Sequence, residues 1–298
     1  MEKKPLIIVV VFFYGLFFLW TIFGILSPAV ITIKVSGSTT VLPIGSSCAE
    51  DFMENNPNYD IQVSGGGSSV GVANAGEGTI DIGMASRDVK SGELEDYQDL
   101  YIYGVAKDGL AVCVNDGNNI DGLNFTVIYH IFNGTSGWTT WDEINEKSGL
   151  STNLTGDIVV LGRDSNSGTR ASFEELVNID DNPLEDEELA YDQELGSNGE
   201  VGDKLSTTSG AIGYLGLGYI DKDGIKALPV NGVDLEKSTV QEGSYKLSRT
   251  LFMMTKGKPD DAEQAFLDFV LSDAGQAIVE EEGYIALGND YENPHIKP

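Results

Sequence analysis

Three times in this sequence a short apolar run that alternates like a strand stops at a corner of glycine, serine and threonine, and a helical run follows. The corners are "VSGSTTVLP" (Val35 to Pro43), "VSGGGSSVGVANAG" (Val63 to Gly76) and "GRDSNSGTRASFEEL" (Gly162 to Leu176). A further strand, "TIDIGMASRD", runs into the polar residues Ser86, Arg87 and Asp88. Strands alternating with helices indicate an α/β fold. Glycine lets backbones approach closely, and hydroxyls at a helix start serve either as caps or as donors to a ligand. A helix N-terminus carries unpaired N–H groups and roughly half a positive charge. Read singly, each corner is an ordinary cap; converging, they make an anion cage that needs no metal. Arg87, Arg163 and Arg170, three of the four arginines, lie in these corners. A guanidinium is the planar, permanently charged donor that suits a tetrahedral oxyanion. Arg163 is the expected cage residue, whereas Arg170, seven positions on, is expected to face the helix exterior.

Two apolar stretches divide the chain. "LYIYGVAKDGLAVCVN" reads as a crossing out of a first lobe and "YKLSRTLFMMTKG" as the return. That reading assigns 34–110 and 248–298 to lobe I and 111–247 to lobe II. Thr39 or Thr40 is expected to cap a helix whose apolar face is Val41, Ile44, Cys48, Phe52 and Met53. "DDAEQAFLDFVLSDAGQAIVEEEGY" reads as a long amphipathic helical region. Trp138 and Trp141 are expected to pack at a helix edge.

Several classes of function are disfavoured. With 47 Asp+Glu against 18 Lys+Arg and a net charge of −29, the chain lacks the basic clusters that a nucleic-acid backbone rewards. "GGGSS" is followed by no Gly-Lys-Ser/Thr, so it is not a nucleotide P-loop. A serine hydrolase needs a base, and the two histidines are His130, in an apolar helical run, and His295, in the terminal tail. No histidine or cysteine spacing fits a metal. Cys48 and Cys113 read as small core hydrophobes, with a single disulfide as the alternative. Binding is therefore favoured over enzymatic action, and no cofactor is expected. Asn124, Asn133 and Asn153 each begin an Asn-X-Thr sequon, a surface hint for the stretch assigned to lobe II.

The amino terminus has Lys3 and Lys4, then no charge from Pro5 to Ile33, and its most apolar part, Leu6 to Leu26, is 21 residues long. A bilayer span needs about 20 residues, whereas a signal-peptide core has about 7–15. Length thus favours residues 1–33 as a membrane anchor starting in the cytoplasm, with a signal segment cut near Ser27–Ala29 as the alternative. Either way the rest of the chain lies outside the cell membrane, anchored or released. Without Glu2, Lys3 and Lys4 that part keeps 46 acids and 16 bases, a net charge of −30.

"GSTTVLP", "SGGGSSVGV", "GTIDIGMASRD", "IFNGTSGWTTW", "GRDSNSGTR", "GAIGYLGLGY" and "LSRTLFMMTKG", in this order and spacing, resemble the substrate-binding subunit of the phosphate ABC importer. The resemblance covers nearly all of the exported length. It implies a two-lobed, type II periplasmic-binding-protein-like fold with crossing hinge strands, closing over one inorganic phosphate for delivery to ABC permease subunits. It also implies ligand corners at Ser38, Thr39 and Thr40, at Ser68, at Ser86, and at Arg163, Ser167, Gly168 and Thr169. Many members of the family carry an aspartate where Ser86 aligns, which accepts the proton of hydrogen phosphate. Here either Asp88 takes that part or Arg87 adds a second positive charge. Sulfate or molybdate binding, and a sensory or adhesive surface protein on the same fold, are the alternatives.

Overall fold

Strand β1 (Ile31–Gly37) is flanked in parallel by β2 (Tyr59–Ser64) and β3 (Ile82–Ala85), and helices α1 (Leu42–Asn55) and α2 (Ser68–Glu77) make the crossovers between them. The coordinates are a computed structural model that describes residues 29–135, 138–179, 182–185 and 189–288. After the short helix α3 (Ser91–Asp96), the 16-residue strand β4 (Leu100–Asn115) leads into a second set of elements. These are α4 (Phe125–Phe132), α5 (Trp141–Ser148), β5 (Val159–Arg163), α6 (Gly168–Leu176), the small ladder β6 (Asn178–Ile179) and β7 (Asn182–Pro183), and β8 (Gln193–Leu195). They continue with α7 (Asn198–Thr207), β9 (Ala211–Gly216), β10 (Ile225–Leu228) and α8 (Lys237–Gln241). Strand β11 (Ser248–Lys256) returns the chain, and α9 (Asp261–Leu271) and α10 (Asp273–Glu281) finish it.

The main sheet runs β2-β1-β3-β11-β4-β9-β5-β8, with β10 on β4. Parallel strands β1, β2 and β3 form one α/β lobe and parallel strands β5, β8 and β9 the other, and β4 with β11 joins them. β4 pairs antiparallel with β11 from Leu100 to Gly109 and with β9 from Leu110 onward, so it changes partner between Gly109 and Leu110. Its burial is nearly continuous, as expected for a strand covered on both faces. In open α/β sheets ligands sit beyond the carboxyl ends of the parallel strands. The four polar corners all fall there, after β1, β2, β3 and β5.

Two local expectations gain detail and one changes. The carboxy-terminal helical region is two helices, because Ser272 is extended (φ −71°, ψ 166°) and its hydroxyl accepts the Gly275 N–H to cap α10. Trp141, the first residue of α5, is fully buried, its Nε1–H donated to the Gly210 carbonyl at 2.9 Å. Neither Thr39 nor Thr40 caps α1: the N-cap is Val41, with no side-chain cap. The apolar segment Leu6 to Leu26 and His295 lie outside the described residues, and among those residues no helix is long and apolar enough to cross a membrane.

Cys48 and Cys113 are free, fully buried thiols. Burial, with the Asp51 and Glu282 charges adding to it, pushes Cys48 up to about 12. Both thiols are therefore expected to be unreactive toward a thiol reagent at pH 8 in the native protein and to titrate as two equivalents in denaturant. Fast labelling of the native protein would overturn this placement.

Candidate functional site

The corner after β1 starts with a close approach. Gly37 has φ 137°, and a side chain there would overlap the Met84 carbonyl and sit 2.8 Å from Gly71 Cα. Only glycine tolerates both. Beyond it, Ser38 Oγ accepts the Thr40 N–H at 3.1 Å, and since no side chain caps α1, the Thr39 and Thr40 hydroxyls stay available. They meet the second lobe. Thr40 Oγ1 lies 2.8 Å from Thr169 Oγ1, and Asn198 Nδ2 donates to Thr40 Oγ1 at 2.9 Å and Thr39 Oγ1 at 3.3 Å.

The corner after β2 has Gly67 (φ 96°) as the N-cap of α2, again without a side-chain cap. Ser68 Oγ instead accepts the Ser86 N–H at 3.0 Å and lies 3.3 Å from Ser86 Oγ. Opposite stands the start of α6, which Ser167 does cap, accepting the Arg170 N–H. Ser69 N–H donates to the Asn166 carbonyl and Ser172 Oγ to the Ser86 carbonyl, both at 3.2 Å, so this face of the cleft is closed.

Arg163, at the end of β5, is 1% exposed. Its Nε donates to the Leu195 carbonyl and its Nη2 to the Gly196 carbonyl, both at 3.0 Å, with Thr39 Oγ1 at 3.4 Å from Nη2. Nη1 is buried with no hydrogen-bond partner. Burial lowers the Arg163 pKa, and the nearby Arg249 charge pushes the same way. A second guanidinium thus faces the cluster. Arg249 on β11 is bound by Asp108 on β4, and its Nη2 reaches Thr169 Oγ1 at 3.2 Å and Thr40 Oγ1 at 3.3 Å.

Ser38, Thr39, Thr40, Ser68, Ser86, Arg163, Ser167, Gly168 and Thr169 therefore come together between the lobes. Arg87 and Asp88 do not join them. The Arg87 guanidinium is taken up by both Glu93 oxygens (2.7 and 2.8 Å), by Ser69 Oγ at 3.0 Å and by the Asp88 carbonyl. Asp88 itself is exposed, so it does not fill the acceptor position that Ser86 leaves. Glu93 thus neutralises a buried arginine, leaving only Arg87 Nε without a hydrogen-bond partner.

The expectation for Arg170 is corrected outright. It is 6% exposed and faces inward. Nη1 donates to the Arg163 carbonyl at 2.9 Å and to Glu194, Nε pairs with Glu174 at 2.7 Å, and the guanidinium lies over Tyr191, 5.2 Å from the ring centroid. It thus anchors the turn that aims Arg163. Arg170→Ala is expected to cost about 2 kcal/mol of stability, as for loss of hydrogen bonds to charged groups, and to weaken ligand binding as well. Denaturant unfolding beside a binding titration would check both, and an unchanged midpoint would reject the anchor.

Arg249, Asp108 and Asn198 were missed by sequence reasoning. Asp108 did carry a signal: it is the only carboxylate in a 16-residue strand that is otherwise almost wholly buried. A buried charge needs a partner. Asn198 carried none, sitting in the unremarkable run "GSNGEV". Among the described residues, no group of three or more His, Cys, Asp or Glu could hold a metal ion. The arrangement suits an anion: hydroxyls, two helix N-termini without side-chain caps, and buried guanidinium N–H groups left over.

The chain is similar to proteins of a known family. The family model of the PBP superfamily domain matches residues 26–274. The phosphate-binding protein PstS of Bacillus subtilis is 32% identical over 257 residues, covering 86% of this chain and 81% of that protein. The phosphate-binding protein PstS of Borreliella burgdorferi is 30% identical over 263 residues, 86% of this chain and 90% of that protein. Among solved structures, a Clostridium perfringens protein with bound phosphate, assigned as a phosphate ABC transporter substrate-binding protein, superposes with a TM-score of 0.78. It is 34% identical and covers 86% of this chain and 100% of its own.

Proposed function

This chain belongs to the PBP superfamily and, within it, to the PstS phosphate-binding proteins, and from that premise we propose that it captures inorganic phosphate outside the cytoplasm for an ABC import permease. One observation carries the reading at the level of this chain: Arg163 and Arg249 each keep a buried Nη1 with no partner, on either side of hydroxyls contributed by both lobes. Buried N–H groups without acceptors are costly, and an oxyanion held between them removes that cost. Its remaining oxygens would be met by the hydroxyls of Thr39, Thr40, Ser68, Ser86 and Thr169 and by the amino ends of α1, α2 and α6.

The reading is of a type II binding protein whose lobes are 34–110 with 248–298, and 111–247. The change of β4 partner between Gly109 and Leu110 supports the first boundary, and the pairing of Ser248 with Gly109 supports the second. Binding without chemistry fits the site, because its hydroxyls bond to guanidinium, amide and one another rather than to a histidine. Tethering to the outer face of the membrane by residues 1–33 rests on the 21-residue apolar run and Lys3 and Lys4.

Titration calorimetry of the exported part with phosphate, sulfate and molybdate tests the proposal. Tight, saturable binding of phosphate in preference to both others is expected. Preference for sulfate or molybdate would replace the ligand, and no heat with any of the three would end the transport reading.

A further inference from the structure

Arg249 is the second residue of β11, a strand that joins the lobes, and not part of a corner between a strand and a helix. It is the direct cross-strand partner of Asp108 in the β11–β4 ladder, one residue from where β4 changes partner. Asp108 is 0% exposed and the Arg249 side chain 5%. The carboxylate is fully engaged: Oδ2 accepts from Nε at 2.9 Å and Nη2 at 2.7 Å, and Oδ1 accepts the Leu217 N–H at 2.9 Å. Two donors of the fork converging on one fixed oxygen orient the guanidinium. Nη2 then reaches on to Thr40 Oγ1 of one lobe and Thr169 Oγ1 of the other, while Nη1 is buried with no acceptor.

An ion pair whose task was only to fasten two strands would have no reason to direct its cation into a hydroxyl cluster shared by both lobes. It would also have no reason to lie near a second buried guanidinium, Arg163, whose charge it opposes. Two like charges brought together out of water call for an anion between them. With Asp108 counted, the three ionised side chains carry a net charge of +1, so the pair supplies a directional donor without making the cleft strongly cationic.

Resting on the phosphate reading, and deepening it, we propose that Arg249 is a second guanidinium ligand of the bound anion, delivered by the hinge strand, and that Asp108 is the positioning residue that aims it. The hinge itself therefore touches the cargo. Occupancy and lobe angle are coupled directly through β11, not only through contacts at the cleft rim.

The test separates fastening from binding. In the double variant Arg249→Gln with Asp108→Asn, the two uncharged side chains can still hydrogen bond to each other and Asn can still accept the Leu217 N–H. The melting temperature without phosphate should recover most of what Arg249→Ala loses. Inorganic phosphate should nonetheless bind at least ~30-fold more weakly than to the wild type, the low end for truncating one member of a buried charge pair. Binding within about threefold of the wild type, the scatter of a neutral substitution, would make the pair a fastener and overturn the proposal. If the double variant does not fold, Arg249→Lys decides. It keeps the charge but loses the planar fork, so weaker phosphate binding at an unchanged phosphate-free melting temperature supports the proposal. Unchanged affinity with a lowered melting temperature overturns it. Failure of the phosphate reading would look different, since the wild type itself would then give no heat with phosphate.

Discussion

Arg163→Ala is expected to weaken phosphate binding by about 2–5 kcal/mol, the range for truncating one partner of a buried hydrogen-bonded charge pair. The side chain is 1% exposed and its Nη1 faces no protein acceptor, so its loss removes both a charge and a directed donor. Part of the effect will be local. Nε and Nη2 tie down the Leu195 and Gly196 carbonyls just before α7, the helix that carries Asn198 into the cluster. The phosphate-free melting temperature must therefore be measured beside the dissociation constant. A large loss of affinity with a small loss of stability is the expected pattern. Arg163→Lys should fall between, because an ammonium keeps the attraction but cannot hold two carbonyls and an anion in one plane. A near-wild-type dissociation constant for the alanine variant would remove Arg163 from the site.

The alternation of strand, corner and helix made the α/β class legible, and the two long apolar stretches made the crossings legible, because both rest on periodicity along one element. The corner residues could be found for the same reason: Ser, Thr and Gly before a helix are a local signal. What stayed hidden depended on contacts between distant segments. Arg170 looked peripheral because, beyond Glu174 four residues on in its own helix, its inward partners Glu194 and the Arg163 carbonyl are 24 and 7 residues away. Arg87 looked like a site cation because Glu93, on the next helix, lies six residues on and gives no sequence mark of the pairing. Asp108 and Arg249 are 141 residues apart and become neighbours only through strand register. Hydroxyl roles were ambiguous as well. Nothing in "GSTT" distinguishes a cap from a ligand donor, and it is the uncapped Val41 and Gly67 positions that separate the two.

Gly168→Ala is expected to cost about 3 kcal/mol of phosphate affinity, at the upper end for overpacking because two groups are struck at once. Gly168 is the first residue of α6, and a methyl there would overlap Ser68 Oγ and come within 2.8 Å of Ser68 Cβ and Ser86 Oγ across the cleft. Rotating one hydroxyl would not clear the other contacts, so the lobes would have to stand further apart. The same substitution favours the helix itself, by less than the roughly 1 kcal/mol that alanine gains over glycine in a helix interior, because Gly168 is the first helical residue. The two effects have opposite signs and different observables. The phosphate-free melting temperature should hold or rise, while affinity falls and the stabilisation gained by added phosphate shrinks by mass action. Solution scattering supplies the geometric check. Saturating phosphate should reduce the radius of gyration of the wild type if capture closes the hinge at β4 and β11, and should reduce it less in the Gly168→Ala protein. Wild-type affinity together with wild-type compaction in that variant would mean that phosphate is held without Ser68, Ser86 and the start of α6 meeting, and the cage would have to be redrawn within one lobe.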